Sequence, residues 1–353
     1  MAALGTVVAG DIANAILKHY ARGKTLAQTI QDRPLLRFLN GGKKTFPGGN
    51  QYVSDPVQGA YMSDGTAQLG GGAFFQGYSE DQQLQFAQAQ NILRAEYKWY
   101  EVHAGLVITW TELKKDGITI TDNNKKSEHA DMALTKLTDL LENRMDDFGE
   151  SWARSINLML WKDGSQDALQ VPGILALILE NPNVGVTGTL DRATYTWWRN
   201  LAFLAIASSE QNQTLTKTLR AKQRAVRRFG GKPSKFFSGS AFIDALEAEL
   251  QAKGLYTQEG FTSEGKTDIG LANISLRGVG VFEYDPTLDD LGLTKYCFEF
   301  DSRRLKLRPM EGEDNKVLTP ERPYQYMVFL NSMTWTGALQ CVQLNAQAIF
   351  SIQ

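Results

Sequence analysis

One long amphipathic pattern, Ser127 to Trp161, constrains the fold of this chain more than any other feature. Apolar residues recur in it at steps of three and four, which places them on a single helix face. They are Leu137, Leu141, Met145, Phe148, Trp152, Ile156 and Met159. A helix of about 35 residues is about 50 Å long, more than a compact domain usually contains. The pattern therefore predicts an extended subunit rather than a chain folded around one pocket.

Composition and charge exclude several classes of protein. A length of 353 residues, 42% of them hydrophobic and 22% charged, predicts a folded chain with two or three domains. The net charge of −2 gives no overall attraction to nucleic acid or membrane. The longest apolar run, Ile174 to Leu179, is far shorter than the roughly 18 residues that span a bilayer. Cys297 and Cys341 predict two buried free thiols in a reducing compartment.

The segments before the long helix predict an arm and a projecting hairpin. Residues 1–45 read as an arm whose helical pattern is broken at Pro34 and at Gly41-Gly42. Residues 46–112 are rich in glycine and alternate in strand fashion from Ala95 to Val102. Neither face of that strand is cleanly apolar, and isolated hairpins are marginal in water. We therefore expect this hairpin to lie on another surface, for example a neighbouring subunit.

After the long helix, the pattern predicts alternating strands and helices. Gly173 to Leu179 reads as a short strand, and Thr189 or Asp191 as the cap of a helix running through Trp197, Trp198 and Leu201. Two further helices are predicted at Gln213–Phe229 and Ala241–Lys253. Strands are predicted at Pro233–Ser238, Val279–Tyr284, Tyr296–Asp301, Arg304–Arg308 and Tyr324–Gln353.

One string matches a nucleotide-binding motif. Residues 260–267, GFTSEGKT, fit the phosphate-loop pattern GxxxxGK[ST]. That loop needs a strand before it and a helix after it, so that the helix N-terminus faces phosphate. Here a predicted helix precedes the string and a poor helix former follows. A flexible loop is the favoured interpretation, and a nucleotide-binding enzyme stays as an alternative.

The helix predicted at Gln213–Phe229 carries a run of cations without acidic residues. Three of them, Arg224, Arg227 and Arg228, are candidates for a subunit interface through salt bridges, or for contact with packaged nucleic acid. A solvated helix face is the alternative. Within the hairpin segment, Phe74, Phe75, Tyr78 and Trp99 are further candidates for burial against another subunit.

Neither a catalytic constellation nor a metal site is predicted. His19, His103 and His129 are too scattered to hold an ion, and no HExxH, GxSxG or CxxC string occurs. We therefore expect no cofactor, no metal and no enzymatic activity.

The order of these elements resembles the major capsid proteins of tailed bacteriophages, the Hong Kong 97 type. The resemblance rests on the arm and glycine-rich hairpin, the return strand RAEYKWYEVHAGLVITWTEL (94–113), the long helix, and the closing strings VFEYDP, YCFEFD and RRLKLRP. It implies an α+β fold with five segments. These are an N-terminal arm at 1–45, an extended loop at 46–112, a peripheral domain with a spine helix at 113–165, an axial domain at 166–285, and return strands at 286–353.

The resemblance also implies a function and partners. It predicts self-assembly into hexamers and pentamers of an icosahedral shell around double-stranded DNA bound without sequence preference. Portal, scaffold and decoration proteins are the further partners it suggests, with assembly in the host cytoplasm and no membrane contact. Some members cross-link through a loop lysine, for which Lys44 and Lys98 are the candidate positions. A non-viral encapsulating shell of the same fold is the remaining alternative.

Overall fold

The computed structural model describes residues 31–59, 77–84, 92–109, 111, 147–233, 235–251, 273–276, 278–318 and 328–353. The chain forms two compact units. One comprises residues 1–31, 105–153 and 319–331, and the other comprises residues 32–104, 154–318 and 332–353. Nearly all the described elements lie in the second unit. The five segments predicted from the sequence stay a prediction.

The described elements alternate between short helices and strands. The helices are α1 (Pro34–Gly41), α2 (147–161), α3 (Ile174–Leu177), α4 (Thr214–Arg227), α5 (Ser240–Gln251) and α6 (Pro286–Asp290). The strands are β1 (Tyr52–Gln58), β2 (Ile92–Lys98), β3 (Tyr100–Thr109), β4 (Val186–Thr187), β5 (Leu190–Asp191), β6 (Leu201–Ile206), β7 (Lys235–Ser238), β8 (Asn273–Leu276), β9 (Gly280–Tyr284), β10 (Tyr296–Phe300), β11 (Leu305–Pro309), β12 (Lys316–Val317), β13 (Val328–Cys341) and β14 (Ala348–Ile352).

A mixed sheet of six strands forms the centre of the second unit. Its order is β6-β14-β10-β7-β9-β8. The pairs β6/β14 and β7/β9 are parallel, and the others are antiparallel. A second sheet is built on β13, which pairs with β3, β11 and β12. Strands β1 and β2 form an antiparallel pair in which Tyr52 faces Lys98.

Both faces of the six-stranded sheet are covered, because successive side chains of its strands point to opposite sides. Phe236, Phe282 and Phe350 pack with the apolar stripes of α4 and α5 on one face. On the other face, Phe298 and Phe300 contact Trp161 of α2. This double burial explains why strand β10 reads as a nearly continuous apolar run in the sequence.

The end of the long helix pattern is confirmed. Residues 147–161 are helical, and Trp152, Ile156, Met159 and Trp161 are buried. The Trp161 indole donates to Oδ2 of the buried Asp285 at 2.9 Å, which ties the helix terminus to the N-cap of α6. The preceding part of the pattern, residues 127–146, lies outside the described residues.

The sequence pattern placed a break at Pro34, where residues 31–33 are not helical, but it did not predict the helix that begins at this proline. Pro34 begins helix α1, because proline suits the first helical position, where the backbone N–H needs no partner within the helix. Leu35 and Leu39 are fully buried, and the Phe38 ring packs edge-on against Phe237 at 5.5 Å. The last third of the predicted arm is thus part of the core. The helix predicted at residues 11–22 lies outside the described residues.

Two expectations after the long helix are wrong. The apolar run 174–177 is a short helix, α3, because periodicity alone does not separate a buried strand from a buried helical turn. No helix follows Thr189 or Asp191. Gly188 and Thr189 have φ of +60° and +65° and close a tight hairpin between β4 and β5. The Asp191 carboxylate then accepts from the backbone of Ala193 and forms a turn.

The strand predicted from Ala95 to Val102 is divided at Trp99 between β2 and β3, which pair in different sheets. Most helices and strands predicted after Gln213 agree with the structure. Helices α4 and α5 and strands β7, β9, β10, β11, β13 and β14 lie where the pattern placed helices and strands. Cys297 and Cys341 are buried free thiols, as expected. The sequence pattern did not predict helix α6, whose N-cap Asp285 accepts from the Thr287 backbone N–H at 2.9 Å.

Candidate interaction surfaces

Helix α4, the basic helix, begins on an unusual cap. Gln213 at its N-cap has a left-handed φ of +50° and gives no side-chain cap. Instead the fully buried Glu249 of α5 accepts from the backbone N–H groups of Leu215 and Thr216, each at 2.9 Å, and of Ser209 at 3.0 Å. A carboxylate among free N–H groups at a helix N-terminus is strongly favoured. This cap fixes the helix on the sheet.

The cations of the basic helix share one exposed face. We call this set the cationic face, and it comprises Lys217, Arg220, Arg224, Arg227 and Arg228, all exposed. At 3.6 residues per turn they fall within about 100° of arc. None of them forms a salt bridge with an acidic residue in the described part of the chain. A sixth cation, Lys222, lies 4.9 Å from the centre of the Phe203 ring.

A buried carboxyl group lies beneath the basic helix. Glu299 of β10 is fully buried and accepts a hydrogen bond from the Gln223 amide, while its second oxygen contacts no donor in the described part of the structure. Burial raises the pKa of Glu299 to about 7, although the Gln223 hydrogen bond and the charge of Arg227 act in the opposite direction. The buried side of the basic helix thus faces a carboxyl group of β10 whose pKa is near neutral.

The end of the basic helix is held by a second carboxylate. Oxygens of Asp301 accept from the Lys232 backbone N–H at 2.8 Å and from the Arg303 guanidinium at 2.6 Å. Burial would raise the pKa of Asp301, but these hydrogen bonds outweigh it and lower the pKa. Phe229 follows the helix and is 57% exposed, with the Arg228 guanidinium 5.4 Å from its ring centre. An exposed aromatic ring therefore adjoins the cationic face.

The segment that follows β11 and includes β12 presents the opposite charge. We call residues 311–318 the acidic turn; its carboxylates belong to Glu311, Glu313 and Asp314. Two of them contact lysines at the surface, Glu313 with Lys316 and Asp314 with Lys43. The turn also exposes two apolar side chains, Val317 at 49% and Leu318 at 40%. Its backbone is fixed by hydrogen bonds from Glu311 to Phe46 and from Leu318 to Ser332.

The base of the hairpin packs on its own chain. Val53, Val57, Ala95 and Tyr97 are buried, and the Tyr97 hydroxyl donates to the Cys341 carbonyl at 2.7 Å. Burial raises the pKa of Tyr97 well above its ordinary value. We expected the hairpin to lie on another surface, and for these residues that surface belongs to the same chain. A shallow cleft remains beside Tyr97, bordered by the β4–β5 hairpin and helix α3.

The aromatic candidates of the hairpin are not brought together in the described part of the chain. Phe74 and Phe75 lie outside the described residues. Tyr78 is 71% exposed, and Trp99 is half-buried with its indole donating to the Asn50 carbonyl at 2.9 Å. Trp197 and Trp198 were expected in the core: Trp198 is fully buried and donates to the Thr187 carbonyl, whereas Trp197 is half-buried.

Three buried ionisable side chains were not predicted from the sequence. Arg192 is fully buried and donates to the Thr187 hydroxyl, the Asn200 side chain and a backbone carbonyl. Burial lowers its pKa. The other two are the carboxyl groups of Glu249 and Glu299. Each lies between apolar neighbours in the sequence, which hinted at burial, but nothing in the sequence named the helix that each one holds.

Other candidate sites receive no support. The string at 260–267 lies outside the described residues, and the nearest described elements are a helix before it and a strand after it. Within the described residues no group of histidine, cysteine or carboxylate side chains could hold a metal ion, and His103 is exposed. No described helix is long and apolar enough to cross a membrane.

Comparison with known proteins gives one consistent result. No protein-family model matches the sequence, and no curated protein matches it. Among solved structures, the chain is similar to the cyanophage A-1(L) capsid asymmetric unit, with a TM-score of 0.57 and 14% identity over 93% of this chain and 95% of that one. The capsid of Myoviridae phage XM1 gives a TM-score of 0.54 and 12% identity, covering 93% and 94%.

A third similarity is to the capsid of a native GTA particle, with a TM-score of 0.54 and 14% identity over 96% of this chain and 98% of that one. In all three cases the similarity extends over nearly the whole of both chains. The identities are too low to carry residue roles across. The chain therefore has the α+β fold of tailed-phage major capsid proteins, the Hong Kong 97 type that its sequence order predicted.

Proposed function

We propose that this chain is a major capsid protein, which assembles with copies of itself into the hexamers and pentamers of an icosahedral shell. The observation that carries the proposal is the end-to-end similarity to three capsid chains, with no large part of either chain left over. The role is structural, and we propose no catalytic step. The shell would enclose double-stranded DNA, and its location would be the virion, after assembly in the host cytoplasm.

The physical character of the described surfaces supports self-association. The chain carries a net charge of only −2, so identical copies repel one another weakly. Opposite charges are instead separated into local patches, the cationic face and the acidic turn. A chain with two different complementary patches forms head-to-tail contacts, which close into rings when the rotation between copies permits.

The test is electron microscopy of the purified chain, with size-exclusion chromatography beside it. Closed shells or capsomer rings are the expected result. A chain that stays monomeric across a range of salt and concentration, and also in the presence of its scaffold and portal candidates, would contradict the proposal. The contents of any shells distinguish a DNA-filled capsid from a non-viral compartment that holds protein.

The predicted arm gives a second test. Deleting residues 1–30 removes most of the predicted arm but keeps helix α1, and should reduce assembly while leaving the described core folded. Deleting as far as Gly42 should also unfold it, since Leu35 and Leu39 would be lost from the core. Intact shells from the 1–30 deletion would contradict a role for the arm in assembly.

We also keep the hairpin aromatics as proposed interface residues. Tyr78 exposes most of a large ring, which is uncommon unless the ring meets a partner. Replacing Tyr78 with Ser should weaken assembly without changing the stability of the unassembled chain. The matched control replaces Tyr97, which is buried within the subunit and should lower that stability instead.

A further inference from the structure

The cationic face is a row of like charges held in place. Arg220, Arg224 and Arg228 are spaced at four residues, where like charges repel one another across one helix turn. The helix cannot rotate to turn these arginines away from the surface, because Leu215, Leu219 and Val226 are fully buried. Glu249 also holds its N-terminus. A fixed row of cations that repel one another is stabilised when an anionic surface binds to it.

Apolar side chains next to the row point to protein rather than nucleic acid. Phe229 is 57% exposed at the end of the basic helix, and its carbonyl is held by Gln343. The Phe203 ring of the edge strand β6 is partly buried, and the Lys222 ammonium group lies 4.9 Å from its centre. Contact with a phosphate backbone is chiefly electrostatic and leaves such groups in water. Protein interfaces bury them, with arginine and aromatic residues enriched.

The acidic turn has the complementary composition. Its three carboxylates are flanked by the exposed side chains of Val317 and Leu318, as the cations adjoin the exposed ring of Phe229. The lysine contacts of Glu313 and Asp314 are surface pairs, which contribute little and can be exchanged for a better partner. Glu311 is exposed and forms no ion pair within the described part of the chain. The turn belongs to the sheet built on β13, whereas the basic helix packs on the six-stranded sheet, so we expect one copy to use both surfaces at once.

We propose that the cationic face and Phe229 of one subunit dock on the acidic turn, residues 311–318, of the next copy of this chain. The inference rests on the proposed shell function and names one contact that would build it. The contact is heterologous, so every subunit donates its basic helix to one neighbour and receives the basic helix of another. Complementary charge orients the two copies, and the apolar groups are buried on contact.

The test is a charge exchange measured as self-association by sedimentation and electron microscopy. The first variant, Arg224→Glu with Arg228→Glu, should raise the concentration needed for assembly by about tenfold or more. The second, Glu311→Lys with Glu313→Lys, should do the same. Both pairs combined in one chain should restore assembly, because the charges are again opposite. Lys295→Glu, an exposed cation elsewhere in the same unit, should change little and is the control.

The outcomes separate this inference from the proposed function. Wild-type chain that forms no shells, alone or with its scaffold and portal candidates, contradicts the function, whereas the inference depends on how the variants compare with wild type. Normal shells from the first variant that lack DNA would overturn the inference and assign the cationic face to nucleic acid. Failure of the combined variant to recover, with an unchanged thermal unfolding temperature, would overturn the acidic turn as the counter-surface.

Discussion

Replacing Glu299 with Gln should stabilise the folded chain at alkaline pH. The Glu299 carboxyl group is fully buried on β10, and one of its oxygens has no donor in the described part of the structure. Gln has the same shape, and its oxygen can still accept from Gln223. The substitution thus removes a buried charge while keeping the hydrogen bond that links β10 to the basic helix.

The magnitude follows from the raised pKa. Burial raises the pKa of Glu299 from 4.5 to about 7, so the folded chain binds this proton more tightly than the unfolded chain. The stability that this group contributes is complete below the unfolded pKa and is lost as pH rises through the folded pKa. A shift of this size corresponds to about 3 kcal/mol. The variant should therefore match wild type at about pH 4.5 and exceed its stability by about 3 kcal/mol at about pH 8.

The assay is urea unfolding of the unassembled chain at both pH values. Glu247→Gln on α5 is the control, because Glu247 is half-buried and forms no hydrogen bond with a described residue. It should change the free energy of unfolding by the same small amount at both pH values. The reasoning fails if Glu299→Gln gains less than about 1 kcal/mol at the higher pH, which would mean that burial does not raise the pKa of Glu299 to about 7 in the folded chain.

Three further substitutions, and one glycine control, test the core of the second unit by the same unfolding assay. Glu249→Gln should lower stability by about 3 kcal/mol, since one amide NH₂ would face backbone donors of the basic helix in place of an acceptor. Gly239→Ala should lower it by about 1–3 kcal/mol, because the new Cβ would lie 2.5 Å from a backbone carbonyl oxygen. Gly41→Ala meets no atom within 4 Å and should leave stability unchanged or slightly higher. Trp161→Phe should lower it by about 2–4 kcal/mol, through lost packing and a lost hydrogen bond to a buried carboxylate.

Local periodicity was a good guide where one pattern dominates a segment. The end of the stripe, at residues 147–161, and the pattern from Gln213 to Phe229 predicted helix where the structure has it, because a period of 3.6 is unambiguous over several turns. The strands β9, β10 and β13 also lie within segments that the sequence predicted as strands. The order of these elements was enough to predict the capsid fold.

Predictions failed for short segments whose structure is decided by tertiary contacts. Residues 174–177 are apolar on all sides, and only their packing makes them a helix rather than a strand. The pair Gly188-Thr189 closes a hairpin because the chain folds back at positive φ, whereas the sequence offered Thr189 as a helix cap. Pro34 starts a helix that the arm prediction had ended, since Leu35 and Leu39 find a buried surface there.

The sequence by itself determined the class of fold, the basic helix and the absence of a recognisable catalytic motif, because each depends on local spacing or composition. Only the tertiary structure decided which groups hold that helix and which side it exposes. Glu249 and Glu299 are distant from the basic helix along the chain, and their roles follow from the sheet that brings β10 and α5 beneath it. Contacts between residues far apart in sequence carry no local signal, so one sequence could not reveal them.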